Sequence, residues 1–125
     1  MNGIDEMLAG YLACAIWTGH DWQDDGSEPE SLEENYDVDD IAAGTVTEIR
    51  NEISEFVAYN SDDLIKSGGT WEQHGHDFCL TRNGHGAGFW DRGYGDIGDR
   101  LTAACRPYGT SELYVGDDGE LYVQG

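Results

Sequence analysis

Residues 39–59 read Asp39-Asp40-Ile41-Ala42-Ala43-Gly44-Thr45-Val46-Thr47-Glu48-Ile49-Arg50-Asn51-Glu52-Ile53-Ser54-Glu55-Phe56-Val57-Ala58-Tyr59. Ile41, Thr45, Ile49, Ile53, Phe56 and Val57 recur at helical spacing, so a helix over this stretch gathers them into one buried stripe. Asp37 or Asp39 can cap its free amides. Glu48, Glu52 and Glu55 fall four and three residues apart and line up on the outer side, while Arg50 points elsewhere. The stretch therefore predicts a long amphipathic helix with an acidic outer face.

The flanking segments must supply the core on which that stripe packs. Upstream, Ile4, Leu8, Tyr11 or Leu12, Ala15 and Ile16 predict a helix over residues 4–17. Between the two, residues 21–40 hold ten acids and no base around Gly26 and Pro29, which predicts an exposed loop. Downstream, a short third helix over Ser61 to Ser67, capped by Ser61, ends at Gly68-Gly69. The remainder has the character of short strands and glycine turns. From His76 to Arg82 the pattern alternates, Phe78 and Leu80 against Asp77, Cys79 and Thr81, as in a half-buried strand. Asn83-Gly84 breaks it, and Gly88-Phe89-Trp90-Asp91 reads as the return strand, with Phe89 and Trp90 filling the core. Ile97, Leu101, Ala104 and Cys105 mark a further helix ended by Pro107 and Gly109. Leu113-Tyr114-Val115 and Leu121-Tyr122-Val123 flank the turn Gly116-Asp117-Asp118-Gly119 as a closing hairpin. The expected fold is α+β: N-terminal helices packed on a small antiparallel sheet, with a further helix before a C-terminal hairpin. Residues 1–125 form one domain, with an acidic helical half (1–67) and a glycine-rich α/β half (68–125).

Composition narrows the function. The chain has 125 residues, 26 Asp plus Glu against 6 Lys plus Arg, and a formal charge of −20. Residues 1–65 carry 17 acids and one base, and residues 66–125 carry nine acids and five bases. With 38% hydrophobic and 11% aromatic residues the chain is too apolar for a disordered acidic tail. Its field repels DNA, RNA and anionic membranes, so direct binding to them is not expected. Cys14, Cys79 and Cys105 make an odd count without paired spacing, which favours a reducing compartment. The first six residues, Met1 to Glu6, carry acids where a secretory signal needs bases, and no stretch approaches about 18 uninterrupted apolar residues. A cytoplasmic location is expected.

The acids themselves are the leading candidate site. Asp21, Asp24, Asp25, Glu28, Glu30, Glu33 and Glu34 in the loop, with Glu48, Glu52, Glu55, Asp62 and Asp63, can present carboxylates where duplex DNA presents about one charge per 1.7 Å of axis. A basic nucleic-acid-binding surface of another protein is the partner this fits, steered over a Debye length of about 8 Å and held by pairs with Arg. The competing reading is a solvated face that keeps the protein soluble, although a charge of −20 far exceeds the roughly 2–8 that solubility asks of a small domain. An acidic accessory or virion interaction protein remains the corresponding alternative, and the exposed aromatics also suit a homodimer.

Other constellations carry less. His74, His76, Cys79 and His85 are chemically fit for zinc, but on a strand His74 and His76 share a face that Cys79 does not, so no metal is expected. Asn83-Gly84-His85-Gly86-Ala87-Gly88 has neither a Walker-type Lys nor a dinucleotide fingerprint, and no cofactor is expected. An acid–base enzyme centred on His85, with His76 and with Asp77 or Asp91, is the enzymatic alternative; it lacks a nucleophile stronger than Thr81. The structural assignment for this region is Arg82, Gly84, His85, Gly86, Gly88, Trp90, Asp91 and Arg92, with both arginines paired to Asp91, Asp77 or the acidic half and His85 hydrogen-bonded in the turn. Asp37-Val38-Asp39-Asp40 and Gly116 to Glu120 lack the ligand ladder of a calcium loop and read as a helix cap and a hairpin turn.

The run Asp77-Phe78-Cys79-Leu80-Thr81-Arg82-Asn83-Gly84-His85-Gly86-Ala87-Gly88-Phe89-Trp90-Asp91-Arg92-Gly93 resembles a segment of an uncharacterised family of small acidic proteins encoded by bacteriophages. The likeness extends to Asn35-Tyr36-Asp37-Val38-Asp39-Asp40-Ile41, to Gly98-Asp99-Arg100-Leu101-Thr102 and to Leu113-Tyr114-Val115, and departs at Cys79, where an aromatic is expected. The resemblance implies a phage protein acting in bacterial cytoplasm, and with the acidic surface it implies a non-enzymatic inhibitor of a host defence nuclease complex, of anti-restriction or anti-CRISPR type.

A chain of this charge repels itself, and screening relieves the repulsion. Its melting temperature should rise between low and moderate salt. A flat or falling melting temperature would mean that the acids are already paired or dispersed.

Overall fold

Two glycines let the first and third helices meet backbone to backbone. In the computed structural model, which describes residues 3–21 and 26–123, helix α1 spans Ile4–Thr18 and helix α3 spans Trp71–Arg82. A Cβ on Gly10 would overlap the Glu72 carbonyl, and one on Gly75 would overlap the Met7 carbonyl. Gly3 with Trp71, Met7 with Gly75, Tyr11 with Phe78 and Cys14 with Cys79 meet in the same order along both helices, so the two run parallel. Helix α2, Ala43–Ser67, makes the connection between them and packs on α1.

The α2 stripe packs as its spacing predicts. Thr45, Ile49, Ile53 and Phe56 are buried. Phe56 stacks on Phe78 of α3 at 4.5 Å between ring centroids and on Phe89 at 5.9 Å, while Tyr11 of α1 meets Phe78 at 5.7 Å. Helix α4, Asp96–Cys105, buries Leu101 and Cys105 and packs on α2. The core draws residues from Ile4 to Leu121, so both halves of the chain share it.

The strands are few. β1 (His20–Asp21) pairs antiparallel with β2 (Glu30–Ser31), and β3 (Leu113–Val115) pairs antiparallel with β4 (Leu121–Val123). The fold is α+β with N-terminal helices and a C-terminal hairpin; its antiparallel pairing is divided between these two ribbons. The hairpin joins the long helix where Ala42 donates its N–H to the Leu121 carbonyl at 2.9 Å.

Several expectations are corrected. Residues 76–82 are helix, not strand: His74, Gly75, Asp77, Phe78, Cys79, Leu80 and Arg82 are all buried because α3 lies between α1 and the rest of the core. Alternation implied a wet face, but Asp77 and Arg82 are buried beside polar partners. The missed signal was Thr70 followed by Gln73: the Thr70 hydroxyl accepts from the Gln73 N–H at 3.1 Å and starts the helix. The expected return strand is a 3₁₀ turn, Phe89–Asp91, in which Asp91 accepts from the Gly88 N–H at 3.0 Å. Phe89 enters the core but Trp90 stays 50% exposed. The separate helix at 61–67 is the last part of α2, which kinks at Asn60 (φ −130°, ψ 16°), where the Asn60 amide donates to the Phe56 carbonyl. Asp37 caps a 3₁₀ turn, Val38–Asp40, instead of α2.

Gly75→Ala should lower stability by about 1–3 kcal/mol, despite the helix propensity gained, because the methyl group meets backbone. The urea midpoint reads this; an unchanged or higher midpoint would contradict the close crossing.

Candidate functional site

The few cations decide which acids remain free. Arg82, buried at the end of α3, donates from Nη1 and Nη2 to the two Glu52 oxygens at 2.7 and 3.1 Å. Its Nη2 and Nε also donate to the carbonyls of Tyr108 and Gly109 at 2.9 and 3.0 Å, and Nη1 lies 3.4 Å from the Tyr11 hydroxyl. The guanidinium sits 5.5 and 5.7 Å from the centroids of the Phe78 and Tyr108 rings. Burial pushes the Tyr11 hydroxyl well above its usual range.

Three more arginines are held in the same manner. Arg92 donates from Nε and Nη2 to Oδ1 of fully buried Asp77 at 2.9 and 2.8 Å, beside the Gln73 amide at 3.0 Å. Arg100 and Asp63 form a bidentate pair, and its hydrogen bonds hold the Asp63 carboxyl below the usual range. Arg50 pairs with Asp5. Four of the five arginines are thus joined to internal carboxylates.

Segment 26–40 contains no cation. The β1–β2 pair brings it back to the end of α1, and buried Leu32 anchors it there, donating its N–H to the Gly19 carbonyl at 3.0 Å. Asp37 and Asp40 exchange capping hydrogen bonds with each other's turn, Asp37 Oδ1 accepting from the Asp39 N–H and Asp40 Oδ2 from the Asp37 N–H, both at 2.9 Å. Glu28, Glu30, Glu33, Glu34, Asp37 and Asp39 are left exposed. Among the described residues no Lys or Arg lies within ion-pair distance of these six.

Tertiary structure adds acids that the sequence reading did not assign to the site. The Ile41–Leu121 bridge and the packing of β1 on β3 place the hairpin next to the acidic segment. Its turn exposes Asp117, Asp118 and Glu120. Asp118 accepts from the Tyr122 hydroxyl at 2.5 Å and the Glu120 N–H at 2.9 Å, which lowers its own pKa and pushes that of Tyr122 up to about 12. Only pairing between residues some 80 positions apart makes these neighbours.

The expected α2 acidic stripe divides. Glu48 is exposed, Glu55 accepts from the Tyr108 hydroxyl at 2.9 Å, and Glu52 belongs to the Arg82 pair instead of a free outer face. Asp62 is exposed, Asp63 is paired and Asp21 is half-buried in β1. Asp24 and Asp25 lie outside the described residues.

The histidines do not converge as one ligand set. His74 is buried, its Nε2 donating to the Leu64 carbonyl at 3.0 Å, and burial lowers its pKa. His76 stacks on Trp17, and Cys79 meets Cys14. Nε2 of His85 has no hydrogen-bond partner and lies 3.8 Å from Glu112, so its ring does not brace the glycine turn as expected. The turn is held by backbone, with the His85 N–H donating to the Leu80 carbonyl at 3.0 Å. Gly88 is needed because a Cβ there would overlap the Thr81 hydroxyl, and Gly84 because its φ of 72° lies in the left-handed region, whereas Gly86 has open space around it.

No helix among the described residues is long and apolar enough to cross a membrane. Comparisons with family models, with curated proteins and with solved structures gave no match.

Glu52→Lys should destabilise the domain by on the order of 3 kcal/mol, since it leaves a buried guanidinium beside a second cation. Glu34→Lys, at an exposed and uncompensated site, should be neutral or stabilising. Equal melting temperatures for the two variants would contradict the assignment of Glu52 to the interior.

Proposed function

We propose that the protein is a non-enzymatic inhibitor whose acidic surface occupies a basic, nucleic-acid-binding surface on another protein. The observation that carries this reading is the separation of the acids into two classes. Asp5, Glu52, Asp63 and Asp77 neutralise arginines of the fold; of the carboxylates left unpaired, those in residues 28–39 and the hairpin turn are brought side by side by the Ile41–Leu121 bridge and have no Lys or Arg within ion-pair distance among the described residues. Uncompensated carboxylates on one side of a domain destabilise it by repulsion, and a partner rich in Arg and Lys relieves that repulsion on binding.

The scaffold suits this role. Two short 3₁₀ turns, Leu32–Glu34 and Val38–Asp40, the second capped by Asp37 and Asp40, hold the backbone that carries these carboxylates in place, which reduces the entropy lost on docking. Guanidinium groups of the partner then meet carboxylates in the bidentate geometry they use for phosphates. The resemblance of residues 77–93 to phage-encoded proteins makes a host defence nuclease complex, of restriction or CRISPR type, the natural target in bacterial cytoplasm.

The test uses tagged protein, nuclease-treated bacterial lysate and a variant carrying Glu28→Lys, Glu33→Lys, Glu34→Lys and Glu48→Lys. The wild type should retain a nucleic-acid-binding protein that is released at intermediate salt and displaced by duplex DNA, and the variant should retain none while keeping its circular dichroism spectrum. Retention that survives both the charge reversal and the DNA competitor, or no retained nucleic-acid-binding protein, would overturn the reading.

A further inference from the structure

A cleft of about 280 Å³ opens between the end of α1, the outer side of α3 and the glycine turn, and no acidic side chain lines it. Its platform is Trp17, 55% exposed, whose indole stacks on the His76 ring at 5.7 Å and 26°. Leu80 and Ala87 supply apolar walls. His76, His85 and Arg92 bring polar groups to the same space. These groups are incompletely used: Arg92 commits Nε and Nη2 to Asp77, its Nη1 has no hydrogen-bond partner among the described residues, and Nε2 of His85 is buried without one.

We propose that this cleft is a binding site for one uncharged, flat heteroaromatic molecule of nucleobase size. An aromatic platform with apolar walls and a few convergent donors is the common form of a small-ligand pocket, and a volume just under the roughly 300–1,000 Å³ of drug-sized sites admits one or two fused rings. Stacking on an indole favours a flat ring of any base, because every base presents a π-face. Arg92 Nη1 is a donor for a ring nitrogen or carbonyl, and the imidazoles of His76 and His85 can accept or donate. The ligand is neutral for two reasons. Asp77 already neutralises Arg92, and Glu112 stands 3.8 Å from His85 Nε2, so an anionic group finds no net positive field in a chain of charge −20. A cation finds no carboxylate on the lining. The site is independent of the acidic docking surface, none of whose residues lines it.

Isotope-labelled full-length protein titrated with adenosine, and separately with its 5′-monophosphate, tests this by heteronuclear NMR. Adenosine at millimolar concentration should shift the Trp17 indole and the His76 and His85 ring signals saturably, and the monophosphate should bind about tenfold more weakly, a gap that narrows with salt. Trp17→Ala should abolish the shifts; His76→Ala, which removes only a partly exposed ring, should weaken them and serves if Trp17→Ala fails to fold. No saturable shift, shifts unchanged in His76→Ala, or a monophosphate that binds as tightly as the nucleoside would overturn the proposal.

Discussion

The Arg82 guanidinium is the point on which the rest of the structure depends. It stands at the end of α3, yet its partners come from α1 (Tyr11), α2 (Glu52) and the turn after α4 (the carbonyls of Tyr108 and Gly109). A charge so deeply placed is tolerable only if it is paired and its donors are satisfied, because desolvation of an ion costs several kcal/mol. The five contacts meet that condition only when the three long helices and the 106–109 turn are in one arrangement. The pair therefore specifies geometry more than it adds stability. The Phe78 and Tyr108 rings close over the ion and exclude water.

That constraint propagates to the surface. The chain has 6 Lys plus Arg against 26 acids. Each arginine committed to the interior or to a helix junction is one fewer available to neutralise the outside. Arg82 and Arg92 each bind a carboxylate close to the core, and Arg50 and Arg100 tie α2 to α1 and to α4. The remaining acids repel one another, and those of residues 28–39 and the hairpin turn lie where no Lys or Arg is within ion-pair distance among the described residues. Stability and surface field are thus set by the same small group of cations, which is the physical basis of the docking role proposed above.

The packing of α1 against α3 is the second constraint. Gly10 and Gly75 allow the helix backbones to approach so closely that a single methyl group at either would meet a carbonyl. The approach brings Trp17 beside His76 and leaves the cleft beneath the glycine turn. Histidines that the sequence offered as metal ligands are thereby distributed: His74 enters the core, and His76 and His85 remain together at the cleft.

Some features were determined by the sequence alone. The charge and its concentration in residues 1–65, the amphipathic stripe of α2, the extent of α1, the helix ended near Pro107 and the 116–119 turn all follow from spacing, composition or turn chemistry, which act over a few residues. The pairing of Arg82 and Arg92 with Asp91, Asp77 or the acidic half was legible too, though which arginine takes which carboxylate was not. Only tertiary structure decided that residues 71–82 form a helix, that Trp90 faces outward, that Glu52 turns inward and that the hairpin acids join the acidic segment. For the helix and for Glu52 the reason is the same. A period-2 pattern implies a strand only if its polar residues face water, and Asp77 and Arg82 do not, because charged groups 15 and 30 residues away pair with them inside the protein. Partners so distant in sequence leave no local signal, and the burial they permit overrides the local one.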